Sequence, residues 1–230
     1  MAEFVLRWLH FLAGITWIGL LYYFNFVQGP FMAEADPATK SAATQKLVPR
    51  ALAWFRWSAL VTFLTGAAII GDRLGRATDG SAAWTSNWAV TILTGALFGT
   101  VMLINVWGVI WRNQKVVIAS AKAAASGGQA NAAVPAAARR AFLASRTNVV
   151  LSVPMLFYMG AASHYPLPSA GNHTAYWASI IVLIALVEIN ALTATTGATT
   201  KPIEKIPGVI VTGFVVWGIA YALARALLAV

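Results

Sequence analysis

Six stretches of the chain are almost unbroken in apolar residues, 4–27, 51–70, 88–111, 148–163, 176–192 and 207–228, and polar or turn-forming residues collect between them. A bilayer core about 30 Å thick needs roughly 20 apolar residues per helix, so the pattern predicts an all-α, polytopic integral membrane bundle of about six transmembrane helices, the fourth being the shortest. Punctuation agrees with these limits. Gly29-Pro30 is expected to end the first span and Gly71-Asp72 the second, Pro166 and Pro168 follow the fourth, and Pro207 can open the sixth as a first-turn proline. The first run is too long for a signal-peptide core and has Glu3 where a basic flank would stand, so it is read as a retained helix.

The whole of 1–230 then forms a single transmembrane domain with cytoplasmic loops at 28–50 and 112–147. In the first loop Asp36 precedes Pro37 as a helix cap, and 38–47 is expected to form a short surface helix before Pro49. The second starts at Arg112 as an extension of the third span, breaks at Gly127-Gly128 and restarts near Pro135 as an Ala-rich basic helix, read as an interfacial tether.

Composition narrows the chemistry. Residues are 59% hydrophobic and 10% charged, where soluble proteins carry roughly 25% charged residues. With no cysteine, disulfides, thiolate metal sites, iron–sulfur clusters and the covalent attachment of a c-type haem are excluded. The net charge of +9 would suit nucleic acid in a soluble protein, but no loop interleaves basic residues with aromatics, so the lipid bilayer is the expected partner and nucleic acid is not. Eleven Lys and Arg fall on the side of the first loop, against Arg7, Arg73 and Arg76 on the other; the asymmetry puts both termini outside the cytoplasm.

Ionisable groups inside a bilayer are costly, which singles out His10, Arg56, Glu188 and Arg225. His10 lies six residues beyond Phe4, roughly 9 Å along a helix, and needs a partner at that depth. His164, at the end of the fourth span, shares its leaflet. Two imidazoles on facing helices would suit axial ligation of a non-covalent haem b, with His173 or Met159 as alternatives to His164. Arg7 and Arg225 are then candidates to bind the haem propionates, and Trp17 to pack on the porphyrin. A plainer reading has His10 hydrogen-bonded to a carbonyl or a Ser/Thr of the next helix. Arg56 and Glu188 lie at similar depth and are expected to form a structural ion pair or, alternatively, a proton-entry route. Gly95 and Gly99 form a small-xxx-small pair suited to a homo-oligomer or subunit interface.

Arg7-Trp8-Leu9-His10-Phe11-Leu12-Ala13-Gly14-Ile15-Thr16-Trp17-Ile18-Gly19, Asn105-Val106-Trp107, Trp111-x-Asn113-Gln114-Lys115, Ser145-Arg146-Thr147-Asn148, Ser152-x-Pro154-Met155-Leu156 and Ser163-His164 together resemble the N-terminal membrane domain of bacterial membrane-bound urate oxidases. The resemblance implies a multi-pass protein of the bacterial inner membrane with both termini periplasmic. It also implies an oxidoreductase acting on urate or a similar reduced small molecule. In that family a cytochrome c domain follows; no C-x-x-C-H occurs in these residues, so the electron acceptor is expected to be separate, a periplasmic cytochrome c or a quinone. The resulting expectation is a membrane redox protein that binds haem b and transfers electrons. The alternative is a non-catalytic accessory subunit of a larger membrane complex.

Overall fold

The computed structural model describes residues 1–78, 80–193 and 196–229, without the side chains of 190 and 191. Helix α1 runs Ala2–Glu34, α2 Pro37–Gly75, α3 Asn87–Ala125 and α4 Val134–His164. The chain then forms α5 (His173–Thr193), the single turn α6 (Lys201–Glu204) and α7 (Ile206–Leu228). Five of these, α1 to α4 and α7, are long and apolar enough to cross a membrane, and α5 has a shorter apolar stretch, His173–Ile189. No strand occurs among the described residues, so the fold is the all-α membrane bundle that the run pattern predicts.

Local chemistry sets the ends. The Asp36 carboxylate accepts from the Ala38 and Thr39 amides and starts α2, and its hydrogen bonds to Thr39 hold it below the usual carboxylate range. Ser86 caps α3 by accepting from the Ala89 amide at 3.2 Å. Helix α3 continues to Ala125, and α4 begins at Val134, so the break at Gly127-Gly128 and the restart near Pro135 are as expected. Helix α4 stops at His164, just before the Pro166–Pro168 stretch, and Pro207 sits in the first turn of α7.

Three expected breaks do not occur. Gly29-Pro30 does not end α1, Pro49 does not interrupt α2, and α2 passes through Gly71-Asp72 to Gly75. In the first two cases a π-helical turn stands immediately upstream, Tyr23–Gln28 before Pro30 and Ala43–Leu47 before Pro49. A proline's missing amide and its clash with the preceding turn are absorbed where the helix is already widened. A third π-helical turn, Asn105–Ile110, widens α3.

Helix α4 is the hub. Its most apolar window is 67% buried, against 17% for α1, because α3, α5 and α7 all pack on it. Helices α1 and α2 pair with each other along their length, and α1 reaches α4 through its inner half, where Trp17, Ile18 and Leu21 are buried. A Cβ at Gly95 would come within 3.1 Å of Tyr158 Cβ, and one at Gly99 within 3.7 Å of Met155 Cγ. The small-xxx-small pair therefore serves the α3–α4 contact within this chain, not an oligomer interface, since missing side chains let two backbones approach. Outside the bundle, Arg139 of α4 donates to Glu204 of α6 and holds that carboxylate below its usual range.

Candidate functional site

His10 sits between α1 and α2. Its Nδ1 lies 2.9 Å from the Thr62 carbonyl oxygen and 3.2 Å from Thr65 Oγ1. A carbonyl only accepts, so Nδ1 carries the proton and donates. The Thr65 hydroxyl is itself directed to the Val61 carbonyl at 2.7 Å, which frees its oxygen to receive from the imidazole. The ring fits because position 66 is glycine: a Cβ there would stand 3.0 Å from His10 Cε1. Nε2 has no hydrogen-bonding partner among the described residues. Nearby, Arg7 is ion-paired with Glu3 at 2.6 Å along the same helix, and Trp17 is buried with its indole N–H unpartnered.

His164 belongs to a different part of the molecule. With Phe157, Gly160, Trp217 and Tyr221 it lines an open surface groove of about 560 Å³ between α4 and α7. An adjoining cavity of about 250 Å³ is bounded by Asn87, Pro166, Pro168 and Arg225, and both share Tyr165 and Tyr221. The two phenol hydroxyls meet at 3.2 Å. Trp217 and Tyr221 stack at 6.0 Å and 23°, and Phe157 meets Trp217 edge-on at 5.2 Å. The structure thus brings His164 and Arg225 together around one tyrosine pair, whereas among the described residues His10 lines neither of these two pockets. His173 opens α5 and donates from Nε2 to the Ser169 carbonyl at 2.8 Å; Met159 packs against Gly95.

The expected Arg56–Glu188 ion pair does not form. Arg56 lies over the indole rings of α3 instead, 3.9 Å from the centroid of Trp111 and 5.9 Å from that of Trp107. Glu188 accepts from Asn105 Nδ2 at 2.9 Å through Oε2, and its Oε1 is buried without a partner. The guanidinium finds an aromatic face instead, so similar depth alone did not bring the two charges together.

A buried polar stripe on α4 went unassigned in the sequence. Asn105 Nδ2 also donates to Asn148 Oδ1 at 2.9 Å, and Asn148 Nδ2 donates to the Met102 carbonyl at 3.0 Å. On the opposite flank Asn25 donates to Ser145 Oγ at 2.8 Å, and Tyr22 OH meets Ser152 Oγ at 2.9 Å. Asn25 and Asn105 each lie in a π-helical turn, the feature that re-aims side chains at functional places in helices. Arg146, counted among loop charges, is only 6% exposed, with Nε and one terminal nitrogen unpartnered and its guanidinium 5.1 Å from the Phe142 ring centroid. The available signal was the run Ser145-Arg146-Thr147-Asn148 at the head of an apolar span, polar residues that a bilayer tolerates only when they are partnered.

These residues, Asn105, Arg146, Asn148, Ser152 and His164, lie within the segment that matches a known family, while His10 and Trp17 precede it. No curated protein and no solved structure matches the chain. The match is to the family described as urate oxidase N-terminal, and it covers residues 77–221, more than half of the chain. With its all-α bundle of membrane-length helices and the motifs of α3 and α4 at the heart of the buried network, the chain belongs to the urate oxidase N-terminal family.

Proposed function

We propose that the chain is the membrane-embedded redox component of a urate-oxidase-like system and that it carries haem b on His10. One observation supports this reading above the others: His10, in the apolar part of α1, commits Nδ1 to the Thr62 carbonyl and keeps Nε2 free of protein partners. A metal-bound imidazole has this arrangement, with its second nitrogen tied to a carbonyl or carboxylate that sets tautomer and orientation. The space at Gly66 completes the cradle. His10 would therefore be the residue that holds the haem group. A clamp between His10 and His164 of one chain does not fit, because the walls around His164 come from α4 and α7 and none comes from α1. One histidine suffices to hold haem, as in globins and peroxidases.

Haem, when bound, supplies a reversible one-electron couple. The chain's own contribution would be to hold the group at Nε2 and to fix the imidazole ring through Thr62 and Thr65. Urate or a related reduced small molecule as substrate rests on the family alone, and the acceptor would be a separate periplasmic cytochrome c or a quinone.

The test is a pyridine haemochrome spectrum of the purified full chain. About one b-type haem per chain is expected, lost in His10→Ala while membrane insertion persists, because that change removes a polar group from an apolar span. A haem-free wild-type protein would overturn the reading in favour of an accessory subunit.

A further inference from the structure

The paired cavities at the ends of α4 and α7 have no part in the His10 site, and their chemistry is mixed in an ordered way. One end is polar: the Tyr165 and Tyr221 hydroxyls, the His164 imidazole, and Arg225, which makes no ion pair among the described residues. The other end is a slot walled by the Phe157 and Trp217 rings, with Leu156 at 45% exposure on its rim. Its floor is unfilled at Gly160, where an added Cβ would meet no heavy atom within 4 Å. The surface beside it is apolar, with Phe214 and Ile219 exposed.

We propose that this groove binds an amphiphilic quinone. A flat ring with carbonyl oxygens and an apolar tail needs an aromatic wall to stack on, a few donors converging at one end, and an opening toward the hydrocarbon. The stacked Trp217–Tyr221 pair supplies the wall, and the phenol pair, His164 and Arg225 supply the donors. An acyl chain alone would leave those donors unused, and a phosphate headgroup calls for more than the single cation present. Binding here gives the redox reading above an electron partner and depends on that reading for its role; the binding itself does not depend on it.

The test uses the full chain in phosphatidylcholine vesicles with a photoactivatable azido-quinone and peptide mapping of the adduct. Labelling is expected within 156–165 and 217–225, displaced by unlabelled decylubiquinone and unchanged in His10→Ala. Loss of haem in that variant with labelling intact separates the two sites. Gly160→Leu fills the slot from open space and is expected to lower labelling roughly tenfold without disturbing the fold. Trp217→Leu, which removes the stacking wall, is the second variant, with a similar loss. Adducts confined to other helices, labelling unaffected by both substitutions, or displacement by phosphatidylglycerol as effective as by decylubiquinone would overturn the proposal, the last pointing to a lipid-headgroup site.

Discussion

The Arg56 guanidinium stands 3.9 Å from the centroid of the Trp111 ring, so the cation expected to face a carboxylate faces an indole. Cation–π contacts of this kind contribute about 0.5–2 kcal/mol. In a double-mutant cycle, Arg56→Ala and Trp111→Leu should couple by roughly that amount, while Arg56→Ala and Glu188→Gln should add within about 0.5 kcal/mol. Denaturation in mixed micelles measures both, and a large Arg56–Glu188 coupling would contradict the geometry.

Gly66 is the space in which the His10 ring sits. Gly66→Leu should push the imidazole off the Thr62 carbonyl, since even a Cβ would come within 3.0 Å of Cε1. Its haem content should fall as far as that of His10→Ala, read from the reduced b-type absorbance per chain. A Gly66→Leu protein with full haem would show that the ring's seat on α2 is dispensable.

Asn105 serves two acceptors from one nitrogen. Asn105→Ala strands Asn148 Oδ1 and Glu188 Oε2 inside the bundle, at a cost of about 1–3 kcal/mol. Asn148→Ala removes the other half of the same link, so the double variant should lose less than the sum of the two. Unfolding midpoints of the three proteins give the comparison.

The tie between Arg139 and Glu204 should weaken in acid. Glu204 is held below the usual carboxylate value of 4.5 by the Arg139 hydrogen bond, so the folded protein favours its ionised form. The contribution is present above the unfolded-state value and is lost as pH falls through the lower folded one. Amide exchange in α6 should therefore rise below about pH 4.5 in the wild type, and Arg139→Ala should abolish that pH dependence. Equal acid sensitivity in the variant would assign the effect to another group.

With α5 counted as a span the chain crosses six times, and both termini share a side. Alkaline phosphatase fused to either end should be active in a bacterial host, given the eleven-to-three excess of basic residues on the opposite side. An inactive C-terminal fusion would leave α5 out of the membrane.

Element existence was readable from hydrophobic runs because a bilayer imposes a length on every span, and the Gly127-Gly128 break was readable because two glycines end a helix without help from tertiary contacts. The survival of α1 past Pro30 was not, since it depends on a π-helical turn that leaves no compositional mark. His10 stood out as a lone imidazole in an apolar run, and the plainer expectation of a carbonyl or Thr partner on the next helix matches its contacts with Thr62 and Thr65. Arg146 and Asn148 were hidden for the opposite reason. They sit where a charged loop grades into a span, and only the packing of α3, α5 and α7 around α4 reveals that this segment is already interior.

The widened turn at Asn105–Ile110 amounts to one residue too many for a regular helix. Each residue advances an α-helix by about 100°, so an extra one resets the angular phase of everything beyond it. On α3 the reset makes the continuation beyond Ile110 present a different side to α4 than a straight helix would. Deleting a single residue within 105–110 would leave composition and length almost untouched yet rotate the distal arm by a quarter turn or more. In this helix the count of residues between two faces is thus a heritable setting, open to change by the smallest possible insertion or deletion.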